Sequence, residues 1–240
     1  MFTFYEVGGK VRDELLGLES KDIDYVAVPD DDILKIADTA DYMFTILEQY
    51  LSSKGFDIFL STRECFTIRA KVPGENIVAD FVMARKEVGY VQGTRTPIVE
   101  PGTLYDDLMR RDFTVNAIAK AHDGTLIDPF GGQRDLRAGL LRTPMDPKLT
   151  FNDDPLRLLR AIRFSITKNF HMHPDVWKAV RYFDYTNLMP VVSEERIREE
   201  LYKCFKHDTL RTMGMLCDHP KLATYIFDNT KLWLKPTNEK

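Results

Sequence analysis

Cysteine is scarce in this chain of 240 residues: Cys65, Cys204 and Cys217 are odd in number, scattered, and form no C-x-x-C pair. That pattern excludes a disulfide framework and a zinc knuckle, and buried free thiols are the expected state. No apolar run reaches the roughly 20 residues that a membrane-spanning helix requires. The amino terminus carries neither a basic region nor an apolar signal core, so a cytoplasmic location without a membrane partner is expected. Histidine clusters are also missing. His171-Met172-His173 has no acid or cysteine at metal spacing, and the doublets His122-Asp123 and His207-Asp208 lack the surrounding histidines of a metal phosphohydrolase, so all are read as surface or packing residues. Internal repeats and low-complexity tracts are absent.

What is present is ordinary globular material, with 44% hydrophobic and 29% charged residues. The net charge of −4 does not advertise a nucleic-acid binder. The halves differ, however: residues 1–149 hold 18 basic and 25 acidic side chains, and residues 150–240 hold 15 and 12. The second half is the better candidate for touching a phosphate backbone.

The first part alternates strand-like and helix-like segments. Phe2 to Val7 predicts a strand, Lys10 to Leu16 a short helix closed by Gly17, and Asp22 to Val28 a second, buried strand. Asp30-Asp31-Asp32 opens one long helix that runs to Gly55. Phe56 to Leu60, Cys65 to Val72 and Ile77 to Ala84 supply further strands around turn signals such as Pro73-Gly74-Glu75-Asn76. After Pro147 the pattern becomes helical, with Leu158, Leu159, Ile162 and Ile166 on one helix and Ile197, Leu201 and Phe205 on another. The expected fold is α+β: a head of mixed sheet and helices over 1–145, then an all-helical segment over 146–240. The boundary is placed where Pro144 and Pro147 interrupt regular structure. Lys235 to Lys240 are expected to fray.

The chemistry begins at Asp22-Ile23-Asp24. Residues two apart on a strand project from one face, so both carboxylates reach one site. Lone Asp-x-Asp triplets are common in turns, but Tyr25-Val26-Ala27-Val28 continues an apolar, β-prone run. Paired acids at the head of a buried strand are costly without a cation, which points to Mg²⁺. Two such ions about 3.5–4 Å apart serve an in-line phosphoryl displacement. Upstream, Gly8-Gly9 ends a strand and opens a helix, letting backbone N–H groups approach a triphosphate, with Arg12 one turn further in. Asp80 is either a third carboxylate from a neighbouring strand or an edge-strand acid facing water. In Asn152-Asp153-Asp154-Pro155-Leu156-Arg157-Leu158-Leu159-Arg160, Asn152 is read as a cap and Pro155 as a first-turn residue. The spacing puts Asp154, Arg157 and Arg160 on one helical face, opposite the aliphatic stripe. The bland account is an intrahelical ion pair; the functional one is base selection. A carboxylate accepts from an exocyclic amino group and a guanidinium donates to a ring acceptor, a combination that suits cytosine and adenine and mismatches guanine and uracil.

These residues resemble the class II tRNA nucleotidyltransferases, or CCA-adding enzymes, and the related bacterial poly(A) polymerases. The matching blocks are Val7-Gly8-Gly9-Lys10-Val11-Arg12-Asp13, Lys21-Asp22-Ile23-Asp24, Arg110 through Ala117, Asp128-Pro129-Phe130-Gly131-Gly132 with Asp135-Leu136, and Asp153 through Phe164, in family order. The resemblance implies a nucleotidyltransferase head and helical neck, Mg²⁺ at Asp22 and Asp24, and triphosphate contacts from Gly9 and Arg12. It further implies ribose-side roles for Arg111, Asp112 and Asn116. Asp154 and Arg157 would act as a protein template for CTP and ATP, with Arg160 assisting, and Arg163 matches a further family arginine lying off that face. The implied reaction adds CMP and AMP to the 3′ end of tRNA and releases pyrophosphate. Family members carry Glu-Asp where this chain has Asp153-Asp154. They commonly continue into body and tail domains or a phosphohydrolase domain, so a hold mainly on the acceptor end of tRNA is expected here. Poly(A) or A-only addition shares nearly all these residues. A non-catalytic RNA-binding head would be marked by loss of a metal carboxylate, and both are present. A small-molecule nucleotidyltransferase would leave the Asp154/Arg157 helix without a purpose. The sequence leaves the oligomeric state open.

Overall fold

A computed structural model describes residues 1–20 and 22–229; the expectation of fraying at Lys235 to Lys240 falls outside them. The chain forms two compact units, Met1–Val91 with Thr96–Leu136, and Gln92–Arg95 with Arg137 onward.

In the first unit the elements are β1 (Phe2–Val7), α1 (Gly9–Leu15), β2 (Ile23–Pro29), α2 (Asp31–Ile36), α3 (Ala40–Ser53), β3 (Asp57–Thr62), β4 (Thr67–Lys71), β5 (Val78–Met83), β6 (Arg85–Tyr90), β7 (Pro97–Pro101), α4 (Leu104–Met109), β8 (Ala119–Lys120), β9 (Leu126–Ile127) and α5 (Gly132–Arg137). Seven strands make one mixed sheet in the order β3-β4-β5-β2-β1-β8-β9, while β6 and β7 pair as a separate hairpin. The β2–β5 pairing is parallel and brings Asp24 opposite Asp80.

Strand alternation divides the sheet chemically. On one face Tyr25 stacks on Phe81, with ring centroids 5.1 Å apart, and Phe4 and Phe56 meet the same ring edge-on. Met43, Phe44, Leu47 and Leu51 of α3 complete that core. The other face carries Val7 and Val26, packed with Ala84, Leu108, Ala117 and Ala119. Asp24 lies two residues before Val26 and therefore shares this second face.

Three local expectations change. The single helix from Asp30 to Gly55 is two: Asp30 caps α2 by accepting from the Ile33 N–H at 3.1 Å, and Ala37 then turns extended, with φ −93° and ψ 102°. Thr39 accepts from the Tyr42 N–H at 3.2 Å and starts α3, because Thr at this point offers the backbone a competing cap. β2 begins at Ile23, so Asp22 stands exposed just before the strand rather than within it. Of the three cysteines only Cys204 is buried; Cys65 is half-buried and Cys217 exposed.

In the second unit β10 (Leu140–Leu141) is followed by α6 (Pro147–Asp153), α7 (Leu156–Thr167), β11 (His171–Met172), α8 (Pro174–Arg181), α9 (Tyr185–Leu188), α10 (Glu194–His207), α11 (Thr209–Asp218) and α12 (Pro220–Thr224). Helices dominate, with one two-residue parallel pairing of β10 and β11 added to the expected pattern. Asn152 is not a cap. Asp146 caps α6, accepting from the Lys148 and Leu149 N–H groups at 2.8 and 3.2 Å, and Pro147 takes the first turn. Asp154 is the residue at which α6 stops, in an extended conformation, before Pro155 and α7. In α7 Leu158, Leu159, Ile162 and Ile166 are all buried, and Ile197 and Leu201 of α10 are buried as well.

Candidate functional site

In the first unit, the turn from β1 to α1 is where the charged groups gather. Gly8 has φ +75°, and a Cβ there would lie 3.1 Å from Arg111 Nη1 and 3.2 Å from Asp24 Oδ2. Glycine thus supplies both the left-handed backbone and the room that lets these two side chains reach the turn. Helix α1 spans only seven residues. Its macrodipole is correspondingly a minor charge beside the guanidiniums of Arg12 and Arg111.

Burial is the main cause that lifts the Asp24 carboxyl above its ordinary value; Arg111 opposes it, and the like charges of Asp80 and Asp22 reinforce it. Such a site favours a cation that relieves the repulsion. The donors are hard carboxylate oxygens, which suit Mg²⁺ rather than a soft metal. Among the described residues no group of three or more His, Cys, Asp and Glu is arranged to hold a metal. One or two carboxylates completed by phosphate oxygens and water is the usual Mg²⁺ arrangement, so Asp22 and Asp24 fit the ion. Asp80 is not an edge-strand acid, since β5 lies between β4 and β2. Both of its oxygens accept from Arg69, at 2.6 and 2.7 Å.

Arg12 is buried, and its guanidinium donates to Asn116 Oδ1 at 2.6 Å and to Asp13 at 2.8 Å. Asn116 in turn donates to Asp112 at 2.8 Å, and Asp112 also accepts from the Phe113 N–H. The structure thereby joins Arg12, Asn116 and Asp112 in one hydrogen-bonded chain. Gly132 sits close behind: a Cβ there would lie 2.1 Å from the Thr114 carbonyl oxygen, so only glycine fits against this block.

Arg111 is aimed from below. Asp107 is fully buried, and it accepts from Arg110 at 2.6 and 3.0 Å and from Arg111 at 2.9 Å. Burial pushes its carboxyl up, but Arg110 and Arg111 together outweigh that and hold it below the ordinary value. Glu87 extends the network, 3.4 Å from Arg110 and 3.8 Å from Arg85. Sequence reading passed over Asp107, Glu87 and Arg69. Asp107 and Arg111 stand four apart, a helical ion-pair spacing that was the available signal; Glu87 and Arg69 gave none.

The second unit holds the other group. Asp154 accepts from Arg95 at 2.6 and 2.9 Å, a bidentate pair, while Arg157 Nε stands 3.9 Å away. Arg157 is buried rather than on a solvated face, which replaces the expectation of a polar stripe opposite the leucines. Arg160 lies over the Phe164 ring at 5.6 Å, and Arg163 over the same ring at 4.3 Å while bonding to Glu200. Arg95 was missed: it sits in the 92–95 segment between β6 and β7, where nothing local marks its partner.

A carboxylate that a mixed sheet delivers to a glycine turn, with a half-buried arginine meeting it there, is the arrangement of a nucleotidyltransferase head. Residues 4–142 match the model of the poly A polymerase head domain, and the chain belongs to that family. It is 36% identical over 228 residues to the "Multifunctional CCA protein" of Chromobacterium violaceum, covering 88% of this chain and 48% of that protein. The protein of the same name from Neisseria gonorrhoeae is 37% identical over 217 residues, 87% of this chain and 46% of the relative. The chain thus spans about half the length of the curated relatives it matches. Among solved structures it resembles the Thermotoga maritima CCA-adding enzyme complexed with tRNA (TM-score 0.69, 27% identity, 91% of this chain and 47% of that one). It also resembles the Bacillus stearothermophilus CCA-adding enzyme in complex with CTP (TM-score 0.70, 27% identity, 90% and 48%). In the described residues no helix is long and apolar enough to cross a membrane.

Proposed function

We propose that this protein is a template-independent RNA nucleotidyltransferase that adds CMP and AMP from CTP and ATP to the 3′ end of tRNA. The observation that carries the reading is the convergence of Asp24 and Arg111 on Gly8. Asp22 and Asp24 would hold Mg²⁺, which when bound supplies charge stabilisation to the attacking and departing oxygens. The RNA 3′-hydroxyl attacks the α-phosphate, the bond to the β-phosphate oxygen breaks, and pyrophosphate leaves. The chain's own residues contribute position and charge. Gly8 and Gly9 let the triphosphate approach the backbone, and Arg111, held by Asp107, brings positive charge to the same turn. Arg12, which the resemblance assigns to the triphosphate, hydrogen-bonds to Asn116 and through it to Asp112, so in this reading it joins the ribose-side group and Arg111 takes the place at the turn.

For base choice, Asp154 offers acceptors and Arg157 a donor, with Arg160 nearby on α7. Asp154 already accepts two bonds from Arg95. Each carboxylate oxygen has a second lone pair, so Asp154 can accept from an exocyclic amino group while Arg95 holds it. A second reading, poly(A) or A-only addition, is favoured by the family's description as a poly A polymerase head. The test is incubation of tRNA ending before CCA with CTP, ATP or both. Ordered C, C, A addition supports the first reading, and A addition without CTP supports the second.

A further inference from the structure

The Arg69–Asp80 pair lies outside the motifs that define the family resemblance, yet it occupies the metal-side face of the sheet. Register fixes this. Asp80 is opposite Asp24 in the parallel β2–β5 pair, and Arg69 is opposite Asp80 in the antiparallel β4–β5 pair. Directly paired residues of adjacent strands project on the same face, so the three side chains form a row across the sheet. Arg69 Nε and Nη2 each take one Asp80 oxygen, at 2.6 and 2.7 Å. This fork-on-carboxylate geometry orients as well as neutralises. Arg69 is the more exposed partner and Asp80 the more buried one.

We infer that Arg69 is a built-in counter-cation that keeps Asp80 off the divalent ion, leaving Asp22 and Asp24 as its protein ligands. The inference rests on the metal reading given above. With Arg69 in place, the pair as a whole carries no net charge, and each Asp80 oxygen already bonds a cation whose like charge repels the ion. Without Arg69, Asp80 becomes a third unneutralised acid one strand away from Asp24. The ion would then meet a stronger field and an additional oxygen ligand. Arg69 is therefore a positioning residue: it sets how many carboxylates the metal meets.

The test is a double-mutant cycle on Mn²⁺ affinity, measured with the full chain by the electron paramagnetic resonance of free Mn²⁺, with circular dichroism confirming the fold of each variant. Arg69→Met should bind Mn²⁺ roughly three- to tenfold more tightly, the size expected for removing one positive charge at a strand's distance in a partly solvated site. Asp80→Asn alone strands the arginine's charge and should weaken binding. Arg69→Met/Asp80→Asn should return to within about twofold of wild type, because pair and pair-free sites carry the same net charge. Arg69→Lys keeps the charge without the fork and should stay near wild type. An unchanged Mn²⁺ affinity in Arg69→Met would overturn the inference. So would a double variant weakened more than tenfold, since Asp80 would then be a metal ligand in its own right. If the wild type shows no Mn²⁺ binding that Asp24→Asn removes, the metal reading itself fails, a result distinct from either of these.

Discussion

Replacing Asp107 by Asn removes one charge at the centre of a buried network and leaves Arg110 and Arg111 facing an amide. Asp107 is fully buried and accepts three hydrogen bonds from the two arginines. Breaking a buried pair by removing one partner costs about 3–5 kcal/mol. Glu87 stays 3.4 Å from Arg110 and retains part of the pairing, so the lower end, about 3 kcal/mol, is expected. For a chain of this size that corresponds to a fall in Tm of about 6–12 °C. Urea unfolding should show a lower midpoint at constant slope. The folded-state pKa of Asp107 is depressed. Its stabilising contribution is therefore complete above the ordinary carboxylate range and is lost as pH falls through the depressed value. The gap between wild type and Asp107→Asn should be constant at neutral pH and close only below about pH 4. A functional consequence follows through Arg111, which loses its anchor, so the KM for nucleotide should rise more than the midpoint shift explains. A destabilisation under about 1 kcal/mol, or a gap independent of pH down to acid denaturation, would refute the claim that this charge network holds Arg111 in place.

Asp24→Ala should lower nucleotide transfer by at least about a hundredfold, the scale of losing one preorganised charge contact, without destabilising the metal-free fold. The carboxyl is raised by burial and like charges, so its ionised form is a liability in the fold at neutral pH and its removal relieves it. For the same reason Mn²⁺ affinity should begin to fall with decreasing pH at a value above the ordinary carboxylate range, measured by titration from pH 8 to pH 4. Arg157→Ala should slow CTP and ATP incorporation and admit UTP or GTP, compared by single-nucleotide extension; unchanged rates and fidelity would return Arg157 to a packing role. Arg95→Ala should reduce discrimination among the four nucleotides by leaving Asp154 unanchored, while Tm moves by only a few degrees because the pair is partly exposed.

Part of the head's fold and of the candidate site was legible because it lies in short, local patterns. Gly8-Gly9 and Asp22-Ile23-Asp24 signal themselves by spacing and flanks, and the alternation of Phe2 to Val7 marks β1 over its observed bounds. Where sequence reading fell short, the deciding contact was non-local or sat at a competing cap. Thr39 splits one helix into two by capping the second, a choice that a continuous apolar periodicity conceals. The environment of Arg157 follows from packing, for α7 is buried nearly all round, and a helical wheel shows only that the arginines are not on the leucine stripe. Arg95 with Asp154, and Arg69 with Asp80, come together through strand register and loop placement. No spacing within a single segment encodes either pair.

The central claim is tested most directly by sequencing the 3′ ends of tRNA lacking CCA after incubation with the purified protein, CTP, ATP and Mg²⁺. The expected product ends in CCA, with growth stopping there, and Asp24→Ala gives none. Unextended RNA from a folded, Mn²⁺-binding wild-type protein, or equal extension by Asp24→Ala, would contradict the account.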